Sequence, residues 1–136
     1  GHYAGICGTE AALDLLSQYN MHDFAAQEIR VNDIITNGIK DLPGVEIIGP
    51  EAANKRGGIC SILLKDLDIQ NVGILMDEVG GVFVRSGLHC VNQWFEPRGN
   101  MQGSLRASAY AYNTEEEAKC FVDTFSEIVE GLSGGI

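Results

Sequence analysis

The segment from Thr114 to Leu132 limits what this chain can fold into more than any other. Thr114 followed by Glu115, Glu116 and Glu117 reads as a capping box, in which the threonine hydroxyl and the third glutamate each bond the other's backbone N–H. Ala118, Phe121, Val122, Phe125, Ile128, Val129 and Leu132 then recur at the helical period, and the three carboxylates lie in the positive first turn. A helix with so continuous an apolar stripe must bury it against a second layer, which the preceding residues have to supply.

The earlier periodicities supply it. Thr9 is placed to cap a helix carrying Ala12, Leu13, Leu15 and Leu16; Asn20 with Asp23 opens a second, through Phe24, Ile29, Ile34, Ile35 and Ile39, that stops before Pro43-Gly44. Val45 to Ile48 and Ile59 to Leu64 read as strands on either side of the Asn54 to Gly58 turn. Asp68 caps a helix with Val72, Leu75, Met76 and Val79 on one face, closed by Gly80-Gly81. Val82 to Arg85 and Ser104 to Ala109 are the third and fourth expected strands. The order ααββαββα predicts the α/β class in its two-layer α+β form: a small, mainly antiparallel sheet with helices on one face. No repeat or linker interrupts the pattern, so residues 3–136 read as a single domain.

Charge and cysteine usage narrow the function. Nine Lys+Arg against nineteen Asp+Glu leave a net charge of -10, which disfavours nucleic acid and anionic membrane surfaces as partners. No apolar run approaches the roughly 20 residues of a membrane span. Cys7, Cys60, Cys90 and Cys120 lie tens of residues apart without a C-x-x-C pair, so no metal site is expected. With no signal peptide they read as reduced thiols in a cytoplasmic setting. Gly1-His2 resembles the scar of a cleaved tag, and sequence upstream is expected to have been removed.

The run Arg85-Ser86-Gly87-Leu88-His89-Cys90 follows directly on an expected strand, where scaffolds commonly present reactive groups. Cys90, beside His89 and five residues from Arg85, is the best nucleophile in the chain, because neighbouring positive charge favours the reactive form of a thiol. Residue types alone leave open a Cys90 that is a small buried hydrophobe and a His89 that is a satisfied core residue. Arg106 sits inside an apolar strand and needs an anion for its planar fork, either a structural carboxylate or one on a substrate.

Three motifs then appear in order: Val84-Arg85-Ser86-Gly87-Leu88-His89-Cys90, Gly103-Ser104-Leu105-Arg106-Ala107-Ser108 and Tyr112-Asn113-Thr114-Glu115-Glu116-Glu117. Together they resemble the C-terminal domain of group II (SufS-like) cysteine desulfurases and selenocysteine lyases, members of the class V aminotransferase family of fold-type I pyridoxal-phosphate enzymes. The family pattern runs approximately R-x-G-H-H-C-x-x-P, G-x-x-R-A-S and Y-N-T-x-x-E. Leu88 and Gln93 depart from it, standing where a first histidine and a proline are usual. The resemblance implies that Cys90 is the catalytic cysteine, with Arg106 binding the substrate carboxylate, Arg85 supporting it and His89 beside the nucleophile. It further implies L-cysteine as substrate, a persulfide on Cys90, L-alanine as product, a sulfur-acceptor protein serving iron–sulfur cluster assembly or another thiolation pathway, and a homodimeric parent. None of Lys40, Lys55, Lys65 or Lys119 has the context of the family's Schiff-base lysine. Pyridoxal phosphate is therefore expected in the full-length parent, on a large domain absent here, and no cofactor is expected on this chain, which alone should be inactive. A selenocysteine lyase, another class V enzyme and a non-catalytic binding module are the alternatives.

Overall fold

The computed structural model describes residues 1–134, so Gly135 and Ile136 of the expected domain lie outside the described residues. Helices α1 (Tyr3–Leu16) and α2 (Met21–Ile39) are followed by strand β1 (Val45–Ile47), a 3-10 turn at Ala53–Lys55, β2 (Ile59–Leu64) and α3 (Ile69–Gly80). Then come β3 (Arg85–Gly87), the short α4 (Asn92–Phe95) with a 3-10 turn at Glu96–Arg98, β4 (Ser104–Ser108) and α5 (Glu115–Ser133). The strands form one antiparallel sheet in the order β1-β2-β4-β3, which places the last strand in the interior of the sheet. This is the expected two-layer α+β architecture.

Side-chain alternation assigns the two faces of the sheet. Cys60, Ile62 and Leu64 of β2 and Leu105 and Ala107 of β4 point into the helical layer. There they meet Val31, Ile35 and Ile39 of α2, Ile69, Val72 and Met76 of α3, and Phe121, Phe125 and Val129 of α5. The intervening residues, Ser61 on β2, Ser104 and Arg106 on β4 and Arg85 on β3, belong to the opposite face. Helix α5 crosses both α2 and α3, and the crossing with α3 is close: a Cβ at Gly80 would lie 2.3 Å from Thr124 Oγ1.

The caps that define these helices are formed. Asp68 Oδ1 accepts from the amides of Gln70 and Asn71 at 2.8 and 3.0 Å. The Glu117 amide donates to Thr114 Oγ1 at 3.1 Å while the Thr114 amide donates to Glu117 Oε2 at 2.9 Å, which completes the capping box. The bond from the Thr114 backbone, and secondarily one from Asn113, hold the Glu117 carboxyl below its ordinary value.

The structure corrects several expected boundaries. Helix α1 begins at Tyr3, not after Thr9, because His2 Nδ1 accepts the Gly5 amide at 2.9 Å and the Thr9 hydroxyl is spent on Gly5 O within the helix. Leu13, Leu15 and Leu16 are exposed, and α1 has no buried residue. The third strand is Arg85–Gly87 and not Val82–Arg85. The Val82 amide is taken by Met76 O at 3.0 Å as α3 ends, so Val82 leaves the helix already committed. Before Arg85 the chain diverges from β4 around a cleft of about 410 Å³ lined by Val82, Val84, Ala107, Val31 and Phe121. The fourth strand stops at Ser108, one residue short of the expectation. Phe95 is 2% exposed and anchors the connection between β3 and β4.

Replacing Phe125, which is 0% exposed, with Ala is expected to lower stability by about 3–5 kcal/mol in urea denaturation. The ionised Glu117 carboxylate is a stronger acceptor than the neutral acid and its folded value is depressed, so its contribution is present at neutral pH and lost as pH falls through that titration. The protection of the Thr114 amide, its exchange relative to an unprotected amide at the same pH, is expected to fall selectively in that acid range.

Candidate active site

The site is assembled on the open face of the sheet, where β3, β4 and the connection between them meet. The register pairs Arg85 directly with Arg106, so two guanidinium groups oppose each other on one face. Like charges in that position are unfavourable unless an anion lies between them. Arg106 is half-buried and its Nε is buried without a hydrogen-bond partner. Among the described residues the one ion pair is Arg30 with Glu115 at 3.8 Å, so the structural-carboxylate alternative for Arg106 is not realised there. Arg106 shares a depression of about 380 Å³ with Ser61, His89, Val91, Trp94 and Ser104.

Cys90, between His89 and Val91 which line this depression, is exposed, which removes the reading of it as a small buried hydrophobe. His89 and Cys90 have φ of 51° and 61°, and the Val91 amide donates to Leu88 O at 2.9 Å. This is a tight turn with both central residues left-handed, a geometry usually given to glycine or asparagine. Each such non-glycine residue costs about 1–3 kcal/mol, so neighbouring contacts must hold the turn. His89 is half-buried, with Nε2 at 2.9 Å from Ser104 O and 3.1 Å from Ser104 Oγ. A carbonyl oxygen only accepts, so Nε2 carries the proton in this arrangement.

The connection leading into β4 is folded, not open. Arg98 lies 4.1 Å above the Trp94 ring and donates to Trp94 O at 2.6 Å. Asn100 Oδ1 accepts from the Gly103 amide at 3.0 Å, and its Nδ2 donates to Gly103 O at 2.9 Å. Gly103 has φ of 89°, and a Cβ there would lie 2.0 Å from Gly87 O. Only glycine lets the two chain segments pass this closely beside the Cys90 turn.

The structure thus gathers Arg85, Arg106, His89 and Cys90 at one end of the sheet. Sequence reading missed Ser104, Ser61 and Asn100. Ser104 alternates with Leu105 in an apolar strand and so lies on the side of Arg106; that small polar residue was the available signal. The other thiols differ in environment. Cys60 is 1% exposed, and burial pushes its thiol up against the opposing hydrogen bond and charge of Arg56, while Cys7 and Cys120 are exposed.

No lysine is among the residues that line the depression. What it offers is a guanidinium with a free N–H and an adjacent exposed thiol, a set that suits a carboxylate and an electrophilic sulfur.

Residues 1–121 match the family model described as aminotransferase class-V, and the chain belongs to that family. Its relatives include a probable cysteine desulfurase of Chlamydia muridarum, 31% identical over 130 residues, an alignment covering 94% of this chain and 31% of the relative. Among solved structures, the apo cysteine desulfurase from Thermococcus onnurineus superposes with a TM-score of 0.80 at 28% identity, over 89% of this chain and 30% of that one. The cysteine desulfurase CsdA from Escherichia coli shares the fold, with a TM-score of 0.83 at 21% identity over 96% of this chain and 31% of that one. The chain therefore spans about a third of the length of the proteins it matches.

Gly103→Ala is expected to destabilise the domain by about 1–3 kcal/mol from its backbone conformation alone, measured as a lowered urea midpoint. In the folded chain, iodoacetamide followed by peptide mass spectrometry is expected to label Cys7, Cys90 and Cys120, and to label Cys60 only after unfolding.

Proposed function

We propose that this chain is the C-terminal domain of a group II, SufS-like cysteine desulfurase, and that it supplies the sulfur-accepting thiol and the clamp for the substrate carboxylate. The observation that carries the reading is the opposed Arg85–Arg106 pair, with the Arg106 Nε unpartnered, at the same end of the sheet as the exposed Cys90. Arg106 takes the carboxylate of L-cysteine on its planar fork, and Arg85 adds the second positive charge. This fixes the substrate on a rigid strand, so that its sulfur is presented to a thiol on the adjoining turn.

The Cys90 thiolate attacks the substrate sulfur, the new S–S bond forms as the substrate C–S bond breaks, and the bonding pair left on the substrate β-carbon takes up a proton. A Cys90 persulfide and L-alanine result, and the persulfide sulfur passes to an acceptor protein in iron–sulfur cluster assembly or another thiolation pathway. Pyridoxal phosphate, held by the part of the parent beyond this chain, supplies the electron sink that makes the C–S bond labile. Exposure of Cys90 serves the second half of the cycle, since an acceptor must reach the outer sulfur. Leu88 and Gln93 lie on either side of Cys90 and alter the shape of the approach compared with the usual motif. The parent is a cytoplasmic homodimer in this reading.

The test uses the parent protein. Cys90→Ser is expected to abolish persulfide formation, read by mass spectrometry, while the cofactor absorbance stays intact; persulfide formation that survives this change overturns the proposal. Arg106→Ala is expected to raise KM for L-cysteine by about tenfold to a hundredfold, and Arg106→Lys to restore only part of the loss because it cannot engage both oxygens. The present chain alone is expected to be colourless and to release no alanine from cysteine.

A further inference from the structure

The His89–Cys90 turn is strained at both of its central residues, and its own hydrogen bond, Val91 N–H to Leu88 O, closes only the base. The side chain that ties the turn to the rest of the molecule is His89, through Nε2 to the carbonyl and hydroxyl of Ser104. Ser104 is a firm anchor: it is 1% exposed, lies in β4 and pairs in register with Gly87 of β3. It also stands two residues before Arg106 on the same face of that strand. One imidazole therefore spans from the residue preceding the nucleophile to the strand that carries the carboxylate clamp.

We propose that His89, seated on Ser104, is the positioning residue for Cys90: its Nε2–H bond holds the left-handed turn and thereby fixes the thiol relative to Arg106. The inference rests on the reading of Cys90 as sulfur acceptor and adds the device that sets its place. The bond requires a donor at the Nε2 position and nothing from Nδ1. Glutamine places an amide N–H at comparable reach and has no ring nitrogen to exchange protons, whereas alanine leaves the turn untethered.

Amide exchange at Val91, followed by NMR in this chain, reads the turn; persulfide formation on Cys90 from L-cysteine, in the parent, reads the chemistry. His89→Ala is expected to speed Val91 exchange by about tenfold, the factor of one ordinary hydrogen bond, and to cut kcat by at least about tenfold with KM for cysteine little changed. His89→Gln is expected to restore both to within about threefold of the original, with the urea midpoints of both variants showing that the domain is folded. Unchanged Val91 exchange in His89→Ala overturns the proposal. So does a His89→Gln variant that regains Val91 protection without regaining sulfur transfer, since the ring would then act by proton exchange. Persulfide formed in the parent despite Cys90→Ser sinks the acceptor reading instead, and Val91 exchange still decides whether His89 holds the turn.

Discussion

Strand β4 lies between β2 and β3, and its alternation sends Leu105 and Ala107 into the helical layer while Ser104 and Arg106 remain on the opposite face. Core and site are therefore set by one register. A slip of one residue would expose Leu105 and drive Arg106 among Phe125, Val72 and Ile62, a burial of charge that no neighbouring carboxylate offsets. The hydrophobic layer thus enforces the position of the arginine: the helices hold the register, and the register places Arg106.

The site is also costly in isolation. Two arginines face each other across β3 and β4, a buried guanidinium N–H has no partner, and two consecutive residues are left-handed. Each feature opposes stability, and each is tolerated because the surroundings are rigid: Gly103 passes against Gly87, Asn100 holds the Gly103 backbone, and Phe95 fills the base of the connection. Strain concentrated at one end of an otherwise well-packed sheet is the arrangement common at functional sites.

Much of the fold was legible because its signals are local. The Thr114–Glu117 box, the Asp68 cap and the run of Ile59 to Leu64 after the Asn54 to Gly58 turn are each contained within a few residues, and all three elements formed where expected. The third strand was misplaced because the Val82 amide is captured by Met76 O, a helix-end bond that hydrophobic period does not reveal. The leucines of α1 suggested a buried face, yet nothing in the described structure covers them. Residue types and motif order pointed to Cys90, His89, Arg85 and Arg106. The His89–Ser104 bond escaped notice, because it joins residues fifteen apart through a register that sequence does not print.

The place of α5 in the fold bears on how the domain comes into being. Val31, Ile35 and Ile39 near the start of the chain and Val72 and Met76 in its middle share a core with Phe121, Phe125 and Val129 near its end. During synthesis, α2, the sheet and α3 can all emerge from the ribosome and still lack the helix that seals their common surface. The nascent unit then carries an uncovered apolar face until the last of these residues clears the exit tunnel, which is the interval in which a chaperone has most to protect. The order in which the chain is written makes the final helix the step that turns a loose layer into a closed one.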